Sequence, residues 1–93
     1  MEHELSETQV RILESLYFVE TFSTIVDESR LPAAIVGAEL KVLISKRWVQ
    51  VMAFDEKSQD YLPVPFYDGD HMKNASFLAT KQGLMLLHGG SMK

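Results

Sequence analysis

The sequence contains no cysteine. That absence removes disulfide scaffolds and every thiolate-based zinc or redox site at once. Long hydrophobic runs are missing as well, and the longest falls far short of the ~18 residues a membrane span needs. No basic stretch leads into an apolar one, so no secretory signal is expected and a cytoplasmic protein is. Positive charge is in deficit: nine Lys and Arg stand against thirteen Asp and Glu, for a net charge of −4. A strongly basic nucleic-acid binder is therefore disfavoured, whereas a small basic face on an acidic body is not. No internal repeat and no low-complexity segment is present.

What is present is the composition of a folded protein. Hydrophobic residues make up 46% and charged residues 24% of the chain, which argues against disorder. Ninety-three residues have no room for a second core, so one small domain over residues 1–93 is expected, with a frayed tail from about 89.

The elements follow from periodicity and caps. Ser6 and Gln9 match a capping box, in which two orphan N–H groups are satisfied reciprocally. Val10, Leu13, Leu16 and Tyr17 continue at helical spacing, flanked by Ile12 and Val19, which predicts a helix over 6–19. Thr21 and Ser23 suit the start of a short second helix that ends near Ser29. Pro32 fits the first position of a third helix, with Val36, Leu40, Leu43 and Ile44 as its core stripe and Lys46 near its end. Residues 48–54 are aromatic and β-branched, as in a strand. Asp55 to Asp60 is a polar turn. The following segment, Tyr61 to Tyr67, is confined to an edge strand or extended loop by Pro63 and Pro65. Residues 75–79 predict another strand around Phe77 and Leu78. Thr80 caps a last helix through Leu87, which Gly89 and Gly90 stop. The expected fold class is α+β: three helices, a β-hairpin wing and a C-terminal helix.

Two stretches carry a resemblance. Val36-Gly37-Ala38-Glu39-Leu40-Lys41-Val42-Leu43-Ile44-Ser45-Lys46-Arg47-Trp48-Val49 is similar to the recognition helix and strand start of small bacterial winged helix-turn-helix regulators. That broad group includes the multiple-antibiotic-resistance and phenolic-acid repressors. Phe77-Leu78-Ala79-Thr80-Lys81-Gln82-Gly83-Leu84 resembles the same group's junction between its last wing strand and last helix. The resemblance covers nearly the whole chain and implies a DNA-binding transcriptional regulator with the third helix in the major groove. The segment 55–74 is long for a wing.

The residues that the resemblance brings to double-stranded DNA are Arg30, Ala34, Gly37, Ala38, Lys41, Arg47, Lys57 and Lys73. Lys46 and Lys81 lie in the same segments. Most of the third helix's outer positions hold Ala33, Ala34, Ile35, Gly37 and Ala38, which offer bases no hydrogen-bonding side chain. Only Lys41 and Ser45 do, so contacts mainly to phosphates are expected. Charge is unevenly spread: residues 1–28 hold seven acidic and one basic side chain, and residues 29–93 hold six acidic and eight basic. The alternative to a DNA face is a scattered solvated one.

Leu31, Ile35, Ala38 and Val42 also form an apolar stripe at spacings of 4, 3 and 4, read either as part of a wide core or as an interface. Leu84, Met85, Leu86 and Leu87 make the last helix apolar almost all round. Ile35, Val42, Leu84, Met85 and Leu87 are thus interface residues, and a homodimer through the first and last helices is expected. A winged helix that binds another protein without DNA is the rival function. A small ligand-binding domain built on residues 61–77, with Tyr61, Tyr67 and His71, is a third. Asp68, Asp70 and His71 share one loop, yet Asp68-Gly69 is accounted for as a turn. No catalytic motif is recognisable, and no enzyme activity, cofactor or metal is expected.

Overall fold

The structure is a computed structural model that describes residues 5–65 and 75–89. The first helix, α1 (Glu7–Glu14), opens on the capping box: the Ser6 hydroxyl accepts the Gln9 N–H and the Gln9 side chain accepts the Ser6 N–H, both at 3.1 Å. It stops well before residue 19. Ser15 Oγ donates to the Ile12 carbonyl at 2.7 Å, and the Leu16 N–H bonds the Leu13 carbonyl at 2.9 Å. These i−3 bonds tighten the last turn and end it. Leu16 still reaches the core, fully buried, but Tyr17 and Phe18 turn outward.

The chain then forms a strand that the sequence does not announce, β1 (Glu20–Thr21). Two residues are too few for a period-2 signal. Thr21 also caps the second helix, α2 (Phe22–Ser29), its hydroxyl accepting the Thr24 N–H at 3.3 Å. Arg30 ends α2 in the left-handed region, at φ 62°. The third helix, α3 (Ala33–Ser45), follows Pro32, which is the cap rather than the first helical residue. Its end is a double closure: Arg47 N–H bonds the Ile44 carbonyl at 3.0 Å and Trp48 N–H the Leu43 carbonyl at 2.9 Å. Arg47 takes φ 65° there, a position usually given to glycine.

Three strands follow: β2 (Val49–Asp55), β3 (Asp60–Val64) and β4 (Ser76–Ala79). The last helix, α4 (Lys81–Leu87), is capped by Thr80, whose hydroxyl accepts the Gly83 N–H at 3.1 Å. The sheet is antiparallel with order β1-β4-β2-β3. Among the described residues four helices and a four-stranded sheet make an α+β fold, but its element order differs from the simple three-helix, hairpin, helix layout. Strand β1 intervenes between α1 and α2, and β3 pairs with β2 on the side away from β4. The prolines correctly restrict β3 to an edge.

The core lies between the helices and one face of the sheet. Ile12, Leu13, Leu16, Ile25, Val36, Leu40, Leu43 and Phe77 are fully buried. Val49, Val51, Phe77 and Ala79 supply the sheet side, since alternate residues share a face and Val49 pairs with Ala79 and Val51 with Phe77. Gly83 sits so close to the Trp48 carbonyl that a methyl group there would collide with it. No helix among the described residues is long and apolar enough to cross a membrane.

Candidate interaction surface on the third helix

Helix α3 divides cleanly by burial. Val36, Leu40 and Leu43 face the core, and Glu39 accepts a 3.0 Å hydrogen bond from the Gln9 amide of α1. That bond fixes one flank of the helix. The outer side presents Ala34, Ile35, Ala38, Lys41, Val42 and Ser45, all exposed, with Gly37 half-buried. Ile35 is 42% and Val42 38% exposed, more than side chains of a wide core face would be. The Ser45 hydroxyl donates to the Val42 carbonyl at 2.7 Å, so its proton is already used within the helix.

The basic residues expected at DNA are spread over separate places. Arg30 stands at the end of α2, beside a cleft that also takes in Arg11, Glu14 and Glu28. Charges of both signs meet there, and Arg11 lies 3.6 Å from Glu7 and donates to the Ser29 carbonyl at 3.5 Å. Arg47 is at the far end of α3 from Ala34, about 20 Å along the helix at 1.5 Å per residue. Its neighbour Lys46 lies 5.3 Å from the centre of the Trp48 ring, a cation–π contact. Lys57 sits in the β2–β3 turn among Asp55, Glu56 and Asp60, where phosphate would meet net negative charge. In that turn the Ser58 N–H bonds Asp55 Oδ2 at 2.9 Å and Gln59 adopts φ 57°. Lys81 is exposed at the start of α4. Lys73 lies outside the described residues, as do Tyr67, Asp68, Asp70 and His71. Among the described residues no group of acidic or histidine side chains converges as a metal site.

The left-handed Arg47 is braced from outside its own helix. Thr80 Oγ1 donates to the Arg47 carbonyl at 2.7 Å, and the Thr80 N–H bonds the Trp48 carbonyl at 2.9 Å. A non-glycine residue in that region costs roughly 1–2 kcal/mol, which these bonds hold in place. The pairing joins the end of α3 to the start of α4.

Of the interface residues expected on α4, Met85 is 51% exposed, whereas Leu84 and Leu87 are half-buried against the core. The sequence does not single out Phe18, the most exposed large apolar side chain described, at 76%. Next to it, Tyr17 Oη and His88 Nε2 lie 3.0 Å apart. The early end of α1 turns both aromatics outward, and helical periodicity alone places Tyr17 in the core stripe.

Strand β3 is exposed along its whole length. A proline is tolerated in an edge strand with its nitrogen turned away from the ladder, so positions 61, 63 and 65 direct their backbone to the free edge. Pro63 and Pro65 have no N–H, and the Tyr61 N–H bonds Asp60 Oδ1 at 2.8 Å. The free edge therefore offers carbonyls but no free donor over these residues. On the face away from the helices, Phe54 and Tyr61 pair edge-to-face at 5.3 Å.

No protein-family profile matches the sequence, and neither a curated protein nor a solved structure does.

Proposed function

We propose that the chain is a winged-helix domain that works as a protein-interaction module, with the outer face of α3 as its docking surface. The winged-helix part is supported by the position of β1 between α1 and α2, its pairing with β4, and the three-residue connection from α2 to α3. The β2–β3 hairpin takes the place of the wing. One observation carries the interaction part: the outward side of α3 is built from Ala34, Ile35, Ala38 and Val42. A helix that reads bases needs donors and acceptors at those positions, and apolar groups at exposed sites favour a partner that removes them from water. Strand addition at β3 is disfavoured by the missing donors, which leaves a side-chain surface as the better docking place. Homodimerisation through α1 and α4 belongs to the same proposal, with Tyr17, Phe18 and Met85 as its exposed side chains.

DNA binding is the second reading. It is favoured by the basic residues at the ends of the α2–α3 pair, Arg30, Lys46 and Arg47, which suit phosphate contacts. For bases it has Lys41 and, as an acceptor only, the Ser45 hydroxyl, whose proton goes to the Val42 carbonyl.

A photo-crosslinking amino acid at position 35, installed in the protein in its host cells, separates the two. The interaction module gives a discrete, protease-sensitive adduct that Val42→Glu abolishes. DNA binding gives a nuclease-sensitive adduct instead, and no adduct of either kind overturns both.

A further inference from the structure

An open groove of about 250 Å³ lies between the C-terminal turn of α3 and the β2–β3 hairpin. Ile44 and Val64 give it apolar walls over a floor of the buried Val49 and Val51, and Arg47, Gln50 and Thr80 also line it. The Thr80 hydroxyl is occupied, donating to Arg47 and accepting from Gly83. The Arg47 side chain has no ion pair or hydrogen bond among the described residues. Its site is thus a mainly apolar groove, with Gln50 at its side and a guanidinium that no described residue engages.

Arg47 also occupies a backbone position that glycine fills with less strain. Arg30 and Gln59 keep the same conformation, so the backbone alone does not single out Arg47; its cationic side chain beside the groove does. Charge at the helix end does not explain it, because Lys46 already places a cation there.

We propose that this groove binds the carboxy-terminal residue of a partner polypeptide, one that ends in a large aliphatic side chain. A chain terminus carries its carboxylate and its last side chain on the same carbon. Arg47 meets the first with the paired N–H groups suited to a carboxylate, and the walls formed by Ile44 and Val64 take the second. The groove is smaller than the ~300–1,000 Å³ of ordinary small-molecule pockets, and it is open, which suits the end of a chain. Capture of a terminal carboxylate is an established mode of peptide recognition. The proposal rests on the domain being an interaction module, but it uses a site separate from the outer face of α3.

The test is a fluorescence titration of the full-length protein with a labelled glycine–serine peptide ending in leucine, as the free acid and as the amide. The free acid is expected to bind in the high-micromolar range, and the amide at least roughly tenfold more weakly, since it lacks the charge that strengthens the Arg–carboxylate bond. Arg47→Gly should abolish the difference while its Tm stays at or above that of the wild type, because glycine relieves the left-handed strain. A folded Arg47→Gly therefore separates lost recognition from lost structure, and Val64→Glu, on an exposed strand, should also weaken the free acid. Equal binding of acid and amide overturns the proposal, as does no binding at millimolar peptide. Equal binding of 4-methylpentanoate and the peptide overturns it in favour of a free small acid. The photo-crosslink at position 35 does not depend on Arg47, so failure here and failure of the interaction reading give different results.

Discussion

The Thr80 hydroxyl bonds in two directions: it donates to the Arg47 carbonyl at 2.7 Å and accepts the Gly83 N–H at 3.1 Å. One oxygen therefore caps α4 and secures the turn that ends α3. Thr80→Val keeps the shape and removes both bonds. It should lower stability by about 1–2 kcal/mol, the usual cost of a lost cap, or roughly 4–10 °C in Tm for a domain of this size. Thr80→Ser should retain most of it. A thermal melt that places the valine variant at the wild-type Tm would show that the bonds contribute nothing net.

Gly83 is required for a steric reason. Any Cβ at this position meets the Trp48 carbonyl, a backbone group that cannot rotate away. Gly83→Ala should lose about 2–3 kcal/mol through forced displacement, despite alanine's better helix propensity. Gln82→Ala, at the exposed neighbouring position, should stay within about 0.5 kcal/mol. Urea unfolding of the two variants checks the contrast.

On α3, stability and binding should separate by face. Ile35→Glu and Val42→Glu alter exposed side chains, so each should move the unfolding free energy by no more than about 0.5 kcal/mol. Val42→Glu should also remove the protein adduct formed by the photo-crosslinker at position 35. Leu40→Ala, on the fully buried side, should cost about 2–5 kcal/mol. A large stability loss from the two surface changes would return that stripe to the core.

At the sheet edge, Pro63→Thr combined with Pro65→Thr restores two donors where the chain has none. The doubly substituted protein should associate as concentration rises, because an unprotected edge templates further strands. Sedimentation velocity over a concentration series reads this directly. Unchanged sedimentation would mean that the prolines are not what protects the edge.

Phe18 bears on the expected homodimer. If α1 and α4 form its contact, Phe18→Ser should shift a dimer to monomer in equilibrium sedimentation, and its Tm should match the wild type's at concentrations where both are monomeric, since 76% of this side chain is already in water. A wild-type monomer at high micromolar concentration would remove the dimer from the proposal.

Much of this fold is legible in the sequence because local signals agree there. The Ser6–Gln9 box, the Thr21 and Thr80 caps, the α3 core stripe and the proline-marked edge each act over a few residues. What is missed depends on distance. Helix α1 is expected to run to residue 19 because Tyr17 and Val19 fit its period, but Ser15 and the pairing of β1 with β4 end it sooner. Strand β1 has no pattern of its own and exists through residues far along the chain. The candidate surface was half visible: the composition of the α3 face is plain in the sequence, but its exposure is not. Nor can a sequence show that Arg47, rather than a glycine, takes the left-handed turn beside an apolar groove.

The two-residue strand β1 also has a consequence in time. Glu20 pairs with Phe77 and Thr21 with Ser76, so this rung spans most of the chain, and Thr21 is at once its last member and the cap of α2. During synthesis α1, α2 and α3 emerge long before β4, and the Leu16–Phe77 side of the core stays open to water meanwhile. Closing so long a loop is entropically costly and comes late. The helices must wait for nearly the whole chain before they can be sealed, so a truncation before β4 should leave a sticky intermediate rather than a smaller folded unit.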